Sequence, residues 1–297
     1  MTSSPVDPTT AMRCRHCGSA EGAVVLDLGH QPSAETFPSA DTGPEHDPQH
    51  PLRMWLCASC RLAQLMEDPG TVEEQTVVVE SQAMLAQGEA TLDFAVEQGL
   101  LRSGDRVVEF GSPHGHPLDG LLSARGAVPV ATDGAEPAHV VLDIYGLLHE
   151  PDQEAALSER LAQVAPGGSL VLQLHTLASV VATGQFSELR HGHFAYWSLP
   201  ALDDALRARG WGVHRARRFD FDAGTLAVVA TADPRPDVEV ARLLAAEEAS
   251  GATEAAGLFT LQRGADTAST ALRTWLEDER SAGRRVVGYG AAGRSVP

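Results

Sequence analysis

Apolar positions along this chain fall into two kinds of spacing. Val24–Leu28 and Leu52–Leu56 are short apolar runs that predict two strands near the N-terminus. Between residues 84 and 102 the apolar positions Leu85, Ala90, Leu92, Phe94, Ala95, Val96, Leu100 and Leu101 follow the helical period, and Gly104-Asp105 ends that stretch. Arg106–Gly111 then predicts a buried strand running into a glycine turn, followed by a helix over Leu118–Arg125 and a strand over Val128–Thr132. The order continues with strand Val140–Ile144, helix Gln153–Val164, the turn Pro166-Gly-Gly168 and strand Ser169–Leu174. Helix Leu199–Arg209 leads to two strands, about 211–219 and 224–231. Beyond the linker at 232–237, Val238–Ser250 and Ala255–Ser281 predict helices broken near Gly251 and Gly264. No coiled-coil stripe is sustained there, so core packing is the expected use of their apolar faces. Strands alternating with helices predict an α/β fold around a parallel sheet.

The chain has 297 residues, 43% of them apolar, which suits roughly two domains at about 150 residues each. Forty acidic against 22 basic residues give a net charge of −18, which argues against nucleic acid as a partner because a phosphate backbone needs a positive face. A nucleotide-linked small molecule remains compatible, since local arginines can hold a diphosphate. Every basic residue is Arg, and the absence of Lys rules out a Walker-type phosphate loop and Schiff-base catalysis. No apolar run approaches the ~18 residues that span a bilayer. The N-terminus has neither a basic start nor an apolar stretch, so no membrane contact is expected and a cytoplasmic location is.

In that compartment four cysteines point to metal or catalysis rather than disulfides. They form two knuckles, Cys14-Arg-His-Cys17 and Cys57-Ala-Ser-Cys60, and two such knuckles complete a tetrahedral S4 shell for Zn²⁺. With all four positions filled by thiolates the metal is structural. The rival readings are four unrelated thiols or a redox pair, but neither knuckle lies in the βαβ setting of a redox motif. His16 is an alternative ligand, or more simply a surface residue. Residues 1–70 then form a zinc domain too small for an adequate core of its own, with a Pro/Asp/His-rich loop at 39–51.

Residues 71–233 open as a Rossmann-like unit. Glu109, Gly111 and Gly115 surround the turn after the first strand, and Asp133 stands at the end of the second, where an acid takes ribose hydroxyls. Tight-turn glycines and a solvated Asp are the plainer reading. The Pro-Gly-Gly turn and the late hairpin resemble class I methyltransferases. A complete sheet of that class has seven strands, with a helix, a strand and another helix between the second and fourth. Here Asp133 and Val140 are seven positions apart, whereas one crossover needs at least roughly 10–12 residues. One whole unit is therefore expected to be missing, the one that in this class closes over the adenine of S-adenosylmethionine.

Longer motifs resemble the zinc-containing sugar C-methyltransferases of deoxysugar and antibiotic biosynthesis. They are Leu26-Asp-Leu-Gly-His-Gln-Pro32, Pro51-Leu-Arg-Met-Trp-Leu-Cys57 with Cys60-Arg-Leu-Ala-Gln-Leu65, Val108-Glu-Phe-Gly-Ser112 and His191-Gly-His193-Phe-Ala-Tyr-Trp-Ser-Leu199. Arg285-Val-Val-Gly-Tyr-Gly-Ala-Ala-Gly293 is similar to the first strand and turn of the family's C-terminal domain. The resemblance implies that His193 is the general base, with His191 beside it. The base removes a proton from a carbon next to a ketone, and the enediolate takes the methyl group. It further implies Asp133 on the ribose and Gly111 on the methionine portion of S-adenosylmethionine, and a nucleotide-sugar as substrate.

The departures are specific. The family's Tyr and Glu in the histidine motif are Arg190 and Gly192, a tyrosine-bearing segment reads Val77-Val-Val-Glu-Ser81, and a His-Gly-Gly-Ser-Leu-Arg segment reads Asp222-Ala-Gly-Thr-Leu-Ala227. Pro113-His114 replace the family's Asn-Asp at the cofactor turn. Residues 234–297 are expected to be a helical linker and the start of a partial C-terminal α/β segment, whether of a longer chain or a shortened product. A protein partner or longer chain at that end fits a strand without a following helix. Three functions follow: C-methylation, proton movement beside a ketone without methylation (an epimerase or isomerase), or an inactive scaffold.

Overall fold

A computed structural model of the protein describes residues 12–33, 46–67, 82–111, 118–132, 136–221 and 224–289, together with 41, 43, 70 and 134. Its elements, in order, are β1 (Gly22–Pro32), β2 (Gln49–Cys57), β3 (Ala63–Leu65), α1 (Gln82–Glu97), β4 (Arg106–Gly111), α2 (Asp119–Ala124), β5 (Val128–Val130), β6 (Ala138–Ile144), α3 (Gln153–Ala162) and β7 (Val164–His175). There follow α4 (Leu177–Thr183), β8 (Ala195–Tyr196), α5 (Leu199–Arg207), β9 (Gly212–Phe219), β10 (Thr225–Thr231), α6 (Val238–Ala249) and α7 (Ala255–Ser281).

The larger sheet has six strands in the order β5-β4-β6-β7-β10-β9. β4 to β7 are parallel, and the β9–β10 hairpin closes one edge antiparallel. Helix α1 covers one face, where Leu92, Phe94 and Ala95 pack with Val107, Leu142 and Val171. α3 and α5 cover the other, where Leu157, Leu161, Leu202 and Leu206 pack with Val141, Leu170 and Leu172. Burial on both faces explains why the parallel strands are continuous apolar runs. The chain starts at β4, steps outward to β5 and then crosses back to β6, so the strand order reverses between β4 and β6. Ligands of open α/β sheets bind at such a switch, at the carboxyl ends of the strands.

The expected loss of one unit is present in this sheet. Val130 is level with Val108 of β4, and Val140 with Val107. The chain therefore drops only about 10 Å along the strands and about 10 Å across them between β5 and β6. Residues 131–137 can span that extended but have no room for a helix. Three residues are all that β5 has, and this is what makes so short a crossover feasible. The Gln163 side chain donates to the Thr132 carbonyl at 2.8 Å, and Arg106 to the Glu136 carbonyl at 3.0 Å, holding the link in place.

The smaller sheet has the order β1-β2-β3-β8. β8 is a two-residue strand far along the chain, yet Ala63 pairs with Tyr196 and Gln64 with Ala195. The cysteine-bearing sheet and the large sheet share one apolar core: Trp55, Cys57 and Leu62 pack with Leu157, Trp197 and Leu199. On the other side Leu258, Leu261 and Ala265 of α7 cover Val25, Leu26 and Leu52.

Several elements differ from the sequence expectation. Pro166-Gly-Gly168 is not a turn before a strand but an irregularity within β7, where the register passes from Ala138↔Val164 to Val140↔Ser169. A Cβ on Gly168 would lie 2.5 Å from the His139 carbonyl oxygen, which explains the glycine. Gly264 does not break α7, which is continuous over 27 residues. The expected C-terminal strand is not formed in its described part: 284–289 pair with no strand, and Val287 and Tyr289 are exposed. No described helix is long and apolar enough to cross a membrane.

At the end of β6 a buried ion pair fixes the switch. Asp143 and Arg160 are each 1% exposed, and the Arg160 Nε donates to Asp143 Oδ2 at 2.5 Å. The guanidinium lies 4.4 Å from the Phe110 ring centre and also donates to Glu150 and the Ala156 carbonyl. Asp143 Oδ1 accepts from the Leu147 amide at 3.0 Å, so the pair anchors the chain leaving β6. Asp143→Asn should destabilise the protein by about 3–5 kcal/mol, because it removes the buried counter-charge of Arg160 and leaves the guanidinium only the partly exposed Glu150 as an ionic partner among the described residues. The double variant Asp143→Leu with Arg160→Met should lose distinctly less. Urea unfolding of the three proteins checks this.

Candidate functional site

The knuckles are built from tight backbone turns. Cys14 N–H donates to the Ser19 carbonyl at 2.8 Å, Gly18 N–H to the Cys14 carbonyl, and Arg61 N–H to the Cys57 carbonyl. Arg61 has φ 63°, the left-handed conformation that turns the chain from the second knuckle into β3. All four sulfurs lie within 4.8 Å of one another, with Cys14–Cys60 at 3.4 Å and Cys17–Cys57 at 3.6 Å. A Zn–S bond of about 2.3 Å implies a tetrahedron edge of about 3.8 Å, so the thiols fit Zn²⁺ with small adjustments. The Cys60 thiol, with the His16 and Cys17 amides, brings the Cys14 thiol down to about 5, while the same contact pushes Cys60 up. No fifth donor is needed. His16 is neither a ligand nor a surface group. Its side chain is 8% exposed, edge-on to Trp197 with ring centres 5.2 Å apart, and burial lowers its pKa.

The zinc sheet holds the histidine loop. β8 pairs with β3, Phe194 N–H donates to the Leu148 carbonyl at 2.7 Å, and Leu65 N–H to the Phe194 carbonyl at 3.2 Å. Trp197 Nε1 donates to Gln153, whose amide in turn donates to the Leu147 and Glu150 carbonyls. From the C-terminal segment, Glu247 of α6 accepts the Leu199 amide at 2.7 Å.

Within this frame the two histidines part ways. His191 Nε2 sits 3.1 Å from the Pro51 carbonyl and its ring meets His50 edge-on, so it ties the loop to β2. His193 is 7% exposed and lines a cavity at the carboxyl ends of β6 and β7. Its ring is perpendicular to His149, with centres 4.8 Å apart, and Arg190 Nε donates to His193 Nε2 at 2.7 Å. The guanidinium thus takes the ring lone pair that would accept a proton.

Other walls of this cavity come from the strand ends and were not picked out in the sequence. Tyr145, directly after β6, has φ 59° and forms an isolated bridge with Gly111 across the switch between β4 and β6. A left-handed tyrosine is uncommon, and such conformations cluster at functional sites. Its hydroxyl is 2.7 Å from Thr225 Oγ1, and its ring stacks on His175 at 4.9 Å. The available signal was positional: His175 ends β7 and Tyr145 follows β6, where the strand-end rule places ligands.

Of the expected cofactor residues, Glu109 and Gly111 lie on β4. Glu109 accepts the Leu118 amide at the start of α2 at 2.7 Å, and burial pushes its carboxyl up to about 7. Gly111 ends the strand, and a Cβ there would meet no atom of the described residues within 4 Å. Gly115 and Asp133 lie outside the described residues, as do Pro113-His114 and Val77–Ser81.

Fold and site together define an α/β protein with a four-cysteine metal centre and a strand-end cavity. Residues 14–71 match a zinc binding domain family of methyltransferases, and residues 220–296 match the C-methyltransferase C-terminal domain family. The C-methyltransferase NovU of Streptomyces niveus is 26% identical over 315 aligned positions, covering 94% of this chain and 75% of that protein. The chain thus matches a zinc binding domain family near one end and a C-methyltransferase C-terminal domain family near the other, and is similar to a C-methyltransferase over most of its length. Similar solved structures include the magnesium protoporphyrin IX methyltransferase of Synechocystis, with a TM-score of 0.37, 10% identity, and coverage of 50% of this chain and 83% of that one. The glycopeptide N-methyltransferase MtfA gives 0.33, 13%, 52% and 99%.

Two outcomes follow from this geometry. Fresh protein should hold about one equivalent of zinc, and Cys57→Ser should lose both metal and the folded small sheet, read by metal analysis and circular dichroism. Glu109→Gln should stabilise the protein at pH 8, by up to about 3 kcal/mol. A carboxyl raised in the folded state costs stability once pH passes the unfolded value of 4.5, and the cost is complete above about 7. The advantage of the variant should therefore shrink as pH falls from 7 and vanish below 4.5, as followed by thermal melts.

Proposed function

We propose that the protein is an S-adenosylmethionine-dependent C-methyltransferase acting on a nucleotide-linked ketodeoxysugar, with His193 as general base. The observation that carries this reading is a buried imidazole lining a strand-end cavity, on a loop fixed to the zinc sheet, in a chain that resembles a C-methyltransferase along most of its length. Imidazole titrates near neutrality and can take a proton from the carbon beside a ketone. Nε2 must first be released by Arg190, and an anionic substrate that draws the guanidinium away does this. His191 positions the loop through Pro51 and touches no substrate.

Gly111, whose missing side chain would meet no described residue, is assigned to the methionine portion of the cofactor, and Gly115 and Asp133 to the rest of it. S-adenosylmethionine supplies the electrophilic methyl group when bound. The missing unit between β5 and β6 removes the adenine side of that site. Affinity should be lower by on the order of 3 kcal/mol, about a hundredfold.

The test uses a nucleotide-linked 4-ketohexose in D2O. The wild type should wash deuterium into the carbon beside the ketone, and His193→Gln should slow this by about 10²–10⁴-fold. Equal wash-in with the variant would reject His193 as the base. Calorimetry with S-adenosylhomocysteine measures the cofactor site separately.

A further inference from the structure

The outer edge of the large sheet holds a cavity that the proposed reaction does not use. β9 is the edge strand, hydrogen-bonded only to β10 among the described strands. In a chain of net charge −18 it carries Arg215, Arg217 and Arg218 and no acid. Side chains alternate along a strand, so these arginines leave β9 in both directions. Arg217 lies over the Phe94 ring of α1, 4.4 Å from its centre, and Arg218 donates to Ser179 Oγ of α4 at 2.6 Å. A cavity of about 360 Å³ wraps this edge between α1 and the start of α6. Small-ligand sites begin at roughly 300 Å³. The walls present four guanidiniums, from Arg215, Arg217, Arg218 and Arg242, against two carboxylates, from Asp237 and Glu239.

The ion pairs around the cavity leave much of these forks for a ligand. Asp237 stands 3.5 Å from Arg215 Nε, and its other oxygen caps the Val240 amide. Glu247, beyond the walls, stands 3.5 Å from Arg218. A guanidinium–carboxylate hydrogen bond is about 2.7–2.9 Å long, so both acids attract these arginines without binding them. Arg215 is aimed instead by the His214 and Arg235 carbonyls, which accept from Nη1. Arg217 bonds to Glu97 at 2.8 Å through Nη2, and Arg242 to Glu239 through Nε and Nη2. A guanidinium has five donors, and these contacts use only part of them. Charged side chains guard many edge strands against pairing. A guard needs only exposure, whereas these heads are oriented by particular partners around one concave space. Phe94 is 2% exposed beneath Arg217, so the walls offer a nucleobase no aromatic face to stack on.

We propose that this cavity binds a diphosphate group, held by the forks of Arg215, Arg217 and Arg218, with Arg242 exchanging Glu239 for the ligand. Arg is suited to this because its planar fork matches two phosphate oxygens at once, and a diphosphate offers oxygens to more than one fork. The site is separate from the one at His193. Ser179 of α4 touches Arg218, whereas its neighbour Val180 lines the strand-end cavity. The inference does not rest on the ketosugar reading. Free diphosphate and the diphosphate of a nucleotide share the recognised chemistry.

The experiment titrates the zinc-loaded full chain, free of excess metal, with inorganic pyrophosphate in a calorimeter. Binding should saturate near one equivalent and weaken as salt is raised. Arg215→Gln and Arg242→Gln should each lower the affinity about tenfold or more. The Arg242 side chain is 61% exposed, so its replacement should leave the fold intact. Glu239→Gln removes the carboxylate that competes for Arg242 and should raise the affinity about two- to fivefold. A damaged fold cannot produce a gain, so this variant decides the matter even if an arginine variant is unstable. Adenosine diphosphate separates the two sources. Affinity equal to that of pyrophosphate supports recognition of the phosphates alone, and tighter binding that Arg215→Gln still weakens supports a nucleotide as their carrier. No saturable binding of pyrophosphate by the wild type overturns the inference. So does an affinity that neither arginine substitution lowers, or one that falls with Glu239→Gln.

Discussion

Four sulfurs gathered within 4.8 Å set the conditions for the rest of the molecule. The sheet they close is too small to stand on apolar burial alone, and metal–thiolate bonds supply what its core lacks. That sheet offers its free edge to β8, the strand that leads away from His193. The metal centre thus reaches the candidate chemistry mechanically, by fixing a loop, and takes no part in it electronically. Loss of zinc would cost the site its geometry before any question of reactivity arose.

A second constraint acts at the switch between β4 and β6. The Asp143–Arg160 pair, 1% exposed on both sides, is expensive to bury and fixes how the chain leaves β6. The strained Tyr145 follows directly and meets Gly111 across the switch. Rigid sheet ends on one side and a zinc-anchored loop on the other enclose the cavity, and the imidazoles sit on those two walls. Within the same sheet β5 has three residues, and no helix or strand lies between it and β6 among the described residues.

The departures in the histidine motif acquire a physical meaning in three dimensions. Arg190 in place of tyrosine puts a guanidinium on the nitrogen of His193 that would take a proton. Gly192, at φ 87°, lets the loop turn between one histidine that grips β2 and another that enters the cavity. The C-terminal helices complete the frame: Glu247 of α6 caps the helix that follows β8, and α7 covers the outer face of the zinc sheet.

The sequence by itself determined the elements whose causes are local. Two C-x-x-C spacings specified the metal centre, helical and strand periods located most segments, and the separation of seven positions from Asp133 to Val140 excluded a helical crossover. It did not reveal β3 or β8, which are three and two residues long and are defined by their partners, β3 by β2 on one side and β8 on the other, and β8 by β3. Nor did it reveal that His16 is buried against Trp197, that Pro166-Gly-Gly168 lies inside a strand, or that Gly264 leaves α7 unbroken. Those outcomes depend on what packs alongside. His175, His149 and Tyr145 carry no motif, and only the convergence of strand ends from distant parts of the chain brings them to His193. Spacing fixes ligands held by one turn of chain, whereas a cavity is made by side chains whose proximity is decided by the packing of two sheets.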